Sequence, residues 1–275
     1  MKVADHISSL RRDGELLAAA AERTSPDAPV PTCPEWVVRD LVRHQGGVHR
    51  WAAGYVGDRR NEVWDVDLDD VVGSWPDDGE LVGWFREGHR HLVATLEAAH
   101  PDLDCWTFLR APSPLAMWAR RQAHETAIHR VDAELAADAA AADTGDPGDP
   151  AGTAGTTSPF EASFAADGVD ELLTCFITRP RGRLRSATVR TLDVVAADTG
   201  DRWQVRIGPD RVETRASLAA DGGGDDLAPG DCQLEGDAAD LYLTLWSRRP
   251  VGGLSVAGDR AVLDLFLDQV HVRWS

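Results

Sequence analysis

Two segments of this 275-residue chain have the periodicity of amphipathic helices, yet both carry polar residues on the face that should be buried. On the first segment the inward positions, at alternating steps of four and three, are Val37, Leu41, His44, Val48, Trp51 and Tyr55. On the second they are Trp118, Gln122, Glu125, His129 and Asp132. Because burying such polar groups without partners is costly, these faces should meet each other or share a ligand.

Glu125 and His129 lie one turn apart, so they project from one helix face toward a common point. His44 from a facing helix would complete three nitrogen and oxygen ligands and leave a fourth position open, as in catalytic rather than structural zinc sites. The alternatives are a satisfied core histidine and an ordinary Glu/His pair on a solvated helix. The pair is not the His-Glu-x-x-His motif of zinc proteases, because three residues separate Glu125 from His129. We predict a zinc site formed by His44, Glu125 and His129.

Four segments in the first half have helical patterns and polar connections, which predicts a four-helix bundle, a usual place for metal sites. The first spans about Val3–Glu22, the third about Glu80–Ala98 and the fourth about Pro114–Ala136. The second is expected to begin after Thr32-Cys33-Pro34-Glu35, a pattern typical of a capping box with proline in the first turn, and to continue to about Val56.

The second half has a different character. Residues 136–158 are dominated by Ala, Asp, Gly, Thr and Pro, which is typical of a flexible linker. A helical stretch at 160–176 is followed by short strand patterns at about 187–197, 202–207, 212–216, 232–234 and 254–256, with helices after Asp237 and at 260–270. This irregular alternation predicts a small α+β domain. We therefore expect an all-α four-helix domain at 1–137, a linker at 138–158 and an α+β domain at 159–275.

Charge and composition exclude several classes of partner. The net charge of -18 argues against nucleic acid or an anionic membrane surface. Cys33, Cys105, Cys175 and Cys232 form no Cys-x-x-Cys pair, which is typical of reduced thiols in the cytosol. Charged residues at positions 11–15 interrupt the N-terminal apolar pattern, so it is not that of a signal peptide, and no apolar run approaches a membrane span. We expect a cytoplasmic protein with a small-molecule substrate, either a monomer or a homodimer.

Three parts of the chain resemble one family. The segments Val30–Trp36 (VPTCPEW) and Asp40–Trp51 (DLVRHQGGVHRW) are similar to the N-terminal domain of the mycothiol-dependent maleylpyruvate isomerases, relatives of the DinB-like thiol transferases. Residues 124–130 (HETAIHR) match the second motif of that domain. Residues 245–249 (LWSRR), followed by Gly258-Asp259, resemble the end of the family's C-terminal domain, with Ser247 at a position where glycine is expected. Apart from the linker, the resemblance covers nearly the whole chain.

The resemblance implies a DinB-like bundle that binds zinc through His44, Glu125 and His129, and a C-terminal domain similar in fold to sterol-carrier proteins. It also implies that the C-terminal domain contributes an arginine to the active site. We place that arginine at Arg248, with Arg249 as the alternative. The competing interpretation of Arg248 is an exposed arginine at a helix end, where the helix dipole favours it.

Three further polar residues lie close to the predicted ligands in sequence. His49 and His124 are rotated off the ligand face, so we expect partly exposed helix histidines, with groups near the pocket as the alternative. Asp132, one turn beyond His129, is a candidate for an outer carboxylate that orients a ligand histidine.

The expected chemistry follows from the open metal position. Zinc deprotonates a thiol that it binds, and the thiolate is the nucleophile. Mycothiol that adds to an activated double bond and leaves after bond rotation gives cis–trans isomerisation, whereas mycothiol that stays attached gives thiol S-transfer. An arginine would hold the carboxylate or developing enolate of a small electrophile. Two alternatives are a zinc hydrolase with water at the open position and a binding or regulatory module without turnover.

Overall fold

The computed structural model describes residues 1–144, 157–180, 182–222 and 227–271. The chain divides into two compact units, Met1–Ser158 and Pro159–Ser275. The described part of the first unit is helical, and that of the second is a mixed sheet with helices. The predicted fold class, an all-α bundle followed by a small α+β domain, is confirmed.

The described part of the first unit contains four long helices and one short one: α1 (Val3–Glu22), α2 (Val38–Gly57), α3 (Leu68–Val72), α4 (Asp78–Ala98) and α5 (Pro114–Thr144). Helices α1 and α2 each pack against both α4 and α5, which closes the four long helices into a bundle. Its interior is filled by fully buried apolar side chains that include Leu10, Leu17, Leu41, Phe85 and Trp118. The short α3 was not predicted. None of the described helices is both long enough and apolar enough to cross a membrane.

Helix α2 begins at Val38, so the predicted capping box at residues 32–35 is wrong. Residues 28–37 instead form a folded loop closed by backbone hydrogen bonds. The Asp40 carboxylate caps the helix by accepting a hydrogen bond from Val37 N–H at 3.0 Å. The Thr32 hydroxyl, which a capping box would have used, donates to the Asp132 carboxylate on α5 at 2.5 Å. A buried carboxylate from another helix therefore replaces the local backbone amide as its partner.

Helix α5 is longer and more buried than its pattern predicted. It passes the predicted end at Ala136 and continues to Thr144, because the alanine-rich sequence after Ala136 has high helix propensity. The predicted linker at 138–158 thus begins as helix, and its residues 145–156 lie outside the described residues. Every residue from Arg121 to Glu134 is buried. Over these turns α5 has no solvated face.

Helices α2 and α4 approach closely at two glycines. A Cβ atom at Gly46 would lie 2.2 Å from the Trp84 side chain, and one at Gly88 would lie 2.2 Å from the Arg50 guanidinium. The Arg50 guanidinium stacks 3.7 Å from the centre of the Trp84 ring and donates a hydrogen bond to the Trp84 carbonyl at 2.8 Å. A side chain at Gly46 would displace the Trp84 ring, and one at Gly88 would displace the Arg50 guanidinium, so either would disrupt this stack.

The second unit opens with helix α6 (Ala162–Asp170), which continues into a π-helix (Glu171–Phe176). The remaining elements are β1 (Arg190–Ala196), β2 (Arg202–Ile207), β3 (Val212–Ser217), a 3-10 turn (Ala219–Asp221), β4 (Cys232–Gly236), α7 (Ala238–Leu245), β5 (Ser255–Gly258) and α8 (Arg260–Gln269). The strand order is β3-β2-β1-β4-β5, with β1 and β4 parallel and the other neighbours antiparallel. All five predicted strands are present within a few residues of their predicted bounds.

Candidate metal centre

His44 on α2 lies beside Glu125 and His129 on α5. One potential ligand atom from each residue lies within 4.8 Å of the other two. His44 Nε2 is 3.7 Å from Glu125 Oε1, and the His44 and His129 rings meet edge to face with centroids 5.2 Å apart. The structure therefore brings together the three residues that the two helix stripes predicted as ligands. Two imidazoles and one carboxylate form a donor set that fits zinc with an open position.

The centre is deeply buried on the α5 side and partly accessible at His44. The exposed side-chain fractions are 18% for His44, 7% for Glu125 and 0% for His129. Burial alone would raise the pKa of Glu125, but nearby His44 and the Arg121 guanidinium, whose Nε is 3.5 Å from Glu125 Oε2, outweigh it and lower the pKa. Glu125 is thus held as a carboxylate, the form that binds metal.

Asp132 fixes the orientation of His129. Asp132 Oδ2 is 2.9 Å from His129 Nδ1. The other carboxylate oxygen of Asp132 accepts the hydrogen bond from Thr32, and Cys33 Sγ lies 3.9 Å from Oδ2. Because Nδ1 is committed to Asp132, Nε2 is the nitrogen that His129 can offer to a metal. This is the outer-carboxylate arrangement expected for Asp132.

The folded loop at residues 28–37 also supplies an aromatic wall. The Trp36 ring stacks on His129 at a centroid distance of 5.9 Å and lies 4.9 Å from the His44 ring. The loop therefore restrains both histidines. Trp36 contacts His44 and His129 directly, and Thr32 also holds His129 indirectly through its hydrogen bond to Asp132.

His49 and His124 are both fully buried, so the expectation of partly exposed helix histidines is wrong. The reason is that α2 packs against α3, α4 and α5, and that α5 is buried on all sides between Arg121 and Glu134. The His124 ring lies edge to face with His6, with centroids 6.0 Å apart. Burial, followed by the positive charges of His89 and Arg50, holds the pKa of His49 well below its ordinary value of 6.5.

A buried polar network ties the two ligand-bearing helices together next to the centre. His49 Nε2 lies 2.9 Å from both Gln45 Nε2 and Thr126 Oγ1, and Gln45 Nε2 donates to Thr126 Oγ1 at 2.9 Å. Gln45 follows His44 in the sequence, and Thr126 follows Glu125. The network therefore sets the position of α2 relative to α5 at the level of the ligands. Sequence reasoning missed it, because its members lie off the ligand stripe.

Two family models match most of the chain. The mycothiol maleylpyruvate isomerase N-terminal domain matches residues 7–134, and the MDMPI C-terminal domain matches residues 163–265. The chain belongs to the mycothiol maleylpyruvate isomerase family. The predicted family resemblance is confirmed.

Two solved structures are similar in fold to this family member. They are crystal structures of the mycothiol-dependent maleylpyruvate isomerase and of a point mutant of it. Each has a TM-score of 0.57 and 10% sequence identity, and covers 94% of this chain and 93% of its own. At that identity the likeness shows the shared fold alone. No curated protein matches the sequence.

Gln122 is a candidate site residue to which the sequence analysis gave no role. It lies one turn before Glu125 on the same face of α5 and is fully buried. Within the part of the chain that the structure describes, neither its amide nitrogen nor its amide oxygen has a hydrogen-bond partner. Since an unsatisfied buried polar group costs about 1–3 kcal/mol, a bound ligand is a physical reason to keep this amide. Its place on the inward stripe was the signal that could have identified it.

Arg248 and Arg249, two neighbouring arginines of the second unit, differ in burial and in their partners. Arg248 is buried, 8% exposed, and donates to the Trp246 carbonyl at 2.9 Å. Arg249 is exposed and forms an ion pair with Asp240. The interpretation as an exposed helix-end arginine therefore fits Arg249 and is wrong for Arg248. Ser247, just before them, has φ +64°, a left-handed conformation that favours glycine and explains why glycine is expected there.

Proposed function

We propose that this chain is a zinc-dependent enzyme that uses mycothiol as its thiol cosubstrate and acts on a small carboxylated electrophile. The observation that carries the proposal is the buried cluster of His44, Glu125 and His129, with ligand atoms within 4.8 Å, in a member of this family. The solved proteins of similar fold are mycothiol-dependent maleylpyruvate isomerases. Cis–trans isomerisation is therefore the first reaction to test, and stable thiol S-transfer is the second.

In this proposal His44, Glu125 and His129 hold the metal. When bound, zinc supplies a Lewis acid that lowers the pKa of a thiol. Asp132 keeps the His129 ring in the orientation that presents Nε2. The Arg121 guanidinium favours the ionised form of Glu125, so that protons do not compete with metal for that ligand.

The substrate side of the proposal rests on two residues. The Gln122 amide can donate to a substrate carbonyl or carboxylate and accept from a hydroxyl. Arg248 is the proposed carboxylate-binding group, because a guanidinium recognises a carboxylate through two parallel hydrogen bonds. Its burial supports this role, since charge–charge contacts gain strength away from water.

Metal content is the first test. Protein purified without chelators should contain one zinc ion per chain, and His44→Ala, Glu125→Ala and His129→Ala should each lose it while keeping the helical circular dichroism spectrum. His91→Ala is the matched control, because His91 is an exposed histidine on α4. Full zinc occupancy in any of the three ligand variants would show that the ligand assignment is wrong.

Thiol consumption separates the candidate reactions. Free thiol should stay constant while an isomerase converts the cis to the trans form of a carboxylated enone, and should fall in step with product for a transferase. Both reactions should require mycothiol and stop in the His129→Ala variant. Turnover without mycothiol would instead indicate the hydrolase alternative and would overturn the proposed function.

Arg248→Lys and Arg249→Lys form a matched pair that tests the carboxylate-binding group. We expect Arg248→Lys to lower kcat/KM for carboxylated substrates by about 10- to 100-fold, as for the loss of a charged hydrogen bond. Arg249→Lys should leave kcat/KM unchanged, because Arg249 is exposed and paired with Asp240. Unchanged kinetics for both variants would remove this part of the second unit from catalysis.

A further inference from the structure

A cavity in the second unit is lined by neither Arg248 nor any residue of the metal centre. Leu172 and Phe176 of the π-helix, described residues between Ile177 and Arg185, and residues 268–271 at the end of α8 line an open cavity of about 670 Å³. This volume lies within the usual range for small-molecule pockets. Its apolar lining consists of Leu172, Phe176, Ile177, Leu184 and Val270, of which all but Phe176 are buried.

The lining also includes three arginines, Arg179, Arg183 and Arg185. The Arg179 guanidinium lies over the Phe176 ring at 4.5 Å. Arg185 donates from Nη1 to the Leu184 carbonyl at 2.7 Å, which holds its side chain against the apolar wall. Arg179 and Arg185 are therefore held beside apolar surface, whereas Arg183 is exposed at the rim of the cavity.

These arginines lie in a chain with 46 acidic and 28 basic residues. Within the described residues neither Arg183 nor Arg185 forms an ion pair, although Asp268 contributes to the same lining. Other exposed arginines of the second unit, Arg190, Arg211 and Arg260, contact carboxylates, whereas Arg202 and Arg215 have no ion pair among the described residues but do not line this cavity. Where acidic side chains are in excess, two cations without acidic partners at one cavity favour an anionic ligand.

The backbone gives a second, independent indication. Leu172 and Phe176 belong to the π-helix Glu171–Phe176. π-helical turns are rare in proteins and occur frequently at functional sites. Here the wider turn directly shapes the cavity wall.

We propose that this cavity binds a small amphipathic anion, an aromatic or short alkyl body that carries one carboxylate or sulfonate. The body would pack on Phe176, Ile177 and Val270, and the anionic group would bind Arg183 and Arg185. A bare inorganic anion would leave the apolar wall unused, and a neutral hydrocarbon would leave Arg183 and Arg185 without acidic partners. The site shares no residue with the candidate metal centre and does not depend on the proposed function.

Fluorescence titration with anilinonaphthalene sulfonate tests the proposal, with the uncharged N-phenylnaphthylamine as the matched probe without the anionic group. We expect saturable binding of the sulfonate at one site per chain. Arg183→Gln and Arg185→Gln should each weaken it by about 10-fold or more, as for a hydrogen bond to a charged group. Arg202→Gln, a change at an exposed arginine on β2, should leave affinity unchanged, as should His44→Ala in the first unit.

Three results with the parent protein and the arginine variants would overturn the proposal, and a fourth would come from His44→Ala. They are no saturable binding by the intact chain, equal loss of affinity in Arg202→Gln and in the two cavity variants, and equal or tighter binding of the neutral probe. Loss of binding in His44→Ala would place the probe at the metal centre, and this also contradicts the cavity. Because both arginine changes are at accessible side chains, circular dichroism is sufficient to verify that the variants are folded.

Discussion

At the scale of single residues, Asp132 links the metal centre to the folded loop through one carboxylate. Asp132→Asn keeps the shape of the side chain but removes the charge that orients the His129 ring. Zinc affinity should fall by about 10- to 100-fold, as for other outer partners of metal-bound histidines. Competition titration against a chromophoric chelator measures this loss. Asp138→Asn, on a later turn of α5, should bind zinc like the parent protein, and equal affinity in both variants would count against the role of Asp132.

The Gln122→Leu variant tests whether the unsatisfied Gln122 amide contacts the substrate. Gln122→Leu should leave the free energy of unfolding unchanged or raise it by up to about 1 kcal/mol, because a buried amide without partners is replaced by an apolar group. It should also lower kcat/KM about 10-fold or more with zinc content unchanged. Met117→Leu, a volume-conserving change at another buried position of α5, is the control. A more stable variant with full activity would show that Gln122 does not contact the substrate.

His49 makes the bundle sensitive to acid. Burial first, then positive charge at His89, keeps the folded-state pKa of His49 well below 6.5. Below pH 6.5 the unfolded chain binds a proton at this histidine while the folded chain does not, so the free energy of unfolding should fall as the pH falls. Urea unfolding with chelator present, between pH 7 and 5, measures the slope. His49→Gln should reduce that slope by up to about 1.4 kcal/mol per pH unit, and an unchanged slope would contradict the assignment. His91→Gln, at an exposed histidine on α4, should keep the parent slope.

At the scale of elements, periodic apolar positions were sufficient to predict the four long helices. They were not sufficient to predict where α2 begins, because that boundary depends on partners that are distant in the sequence. The residues before α2 carry every local signal of a capping box, yet the Thr32 hydroxyl binds Asp132, which is 100 residues away in the sequence. No local pattern contains that partner. The end of α5 was missed for a simpler reason, since the alanine-rich stretch was interpreted as linker although alanine is the best helix former.

The turn after α7 carries a correctable strain. Ser247 has φ +64°, which costs a residue with a side chain about 1–2 kcal/mol, whereas glycine adopts it freely. Glycine loses part of this gain through its more flexible unfolded state, so Ser247→Gly should stabilise the protein by about 0.5–1 kcal/mol. Ser247→Val should destabilise it, because a β-branched side chain fits this conformation poorly. Thermal unfolding of the three proteins is the measurement, and a less stable glycine variant would contradict the strain.

At the scale of the whole molecule, the sequence predicted which three side chains meet in the candidate metal centre, but not the groups that surround them. His44, Glu125 and His129 were accessible to pattern analysis because helical spacing alone places them on inward faces. The supporting groups were not, because α5 is buried all round between Arg121 and Glu134. Arg130 shows the consequence: it is fully buried and contacts Asp13 of α1 at 3.4 Å and Glu134 at 2.9 Å. Such partners depend on which helices surround α5, and only the assembled bundle determines that.

Zinc should therefore stabilise the molecule unevenly. The ligands and the residues that support them come from α2, α5 and the loop at residues 28–37, so metal binding should slow amide exchange most in these three elements and less in α1. At zinc concentrations about 100 times the dissociation constant, the free energy of local unfolding should rise by about 2.7 kcal/mol for those unfolding events that separate the zinc ligands. Hydrogen–deuterium exchange with and without zinc measures this pattern, with β2 in the second unit as the internal reference and His44→Ala as the control without a metal effect. Equal protection of β2 and α5, or protection that persists in His44→Ala, would mean that zinc binds elsewhere, because a local site stabilises only the states in which its ligands are assembled.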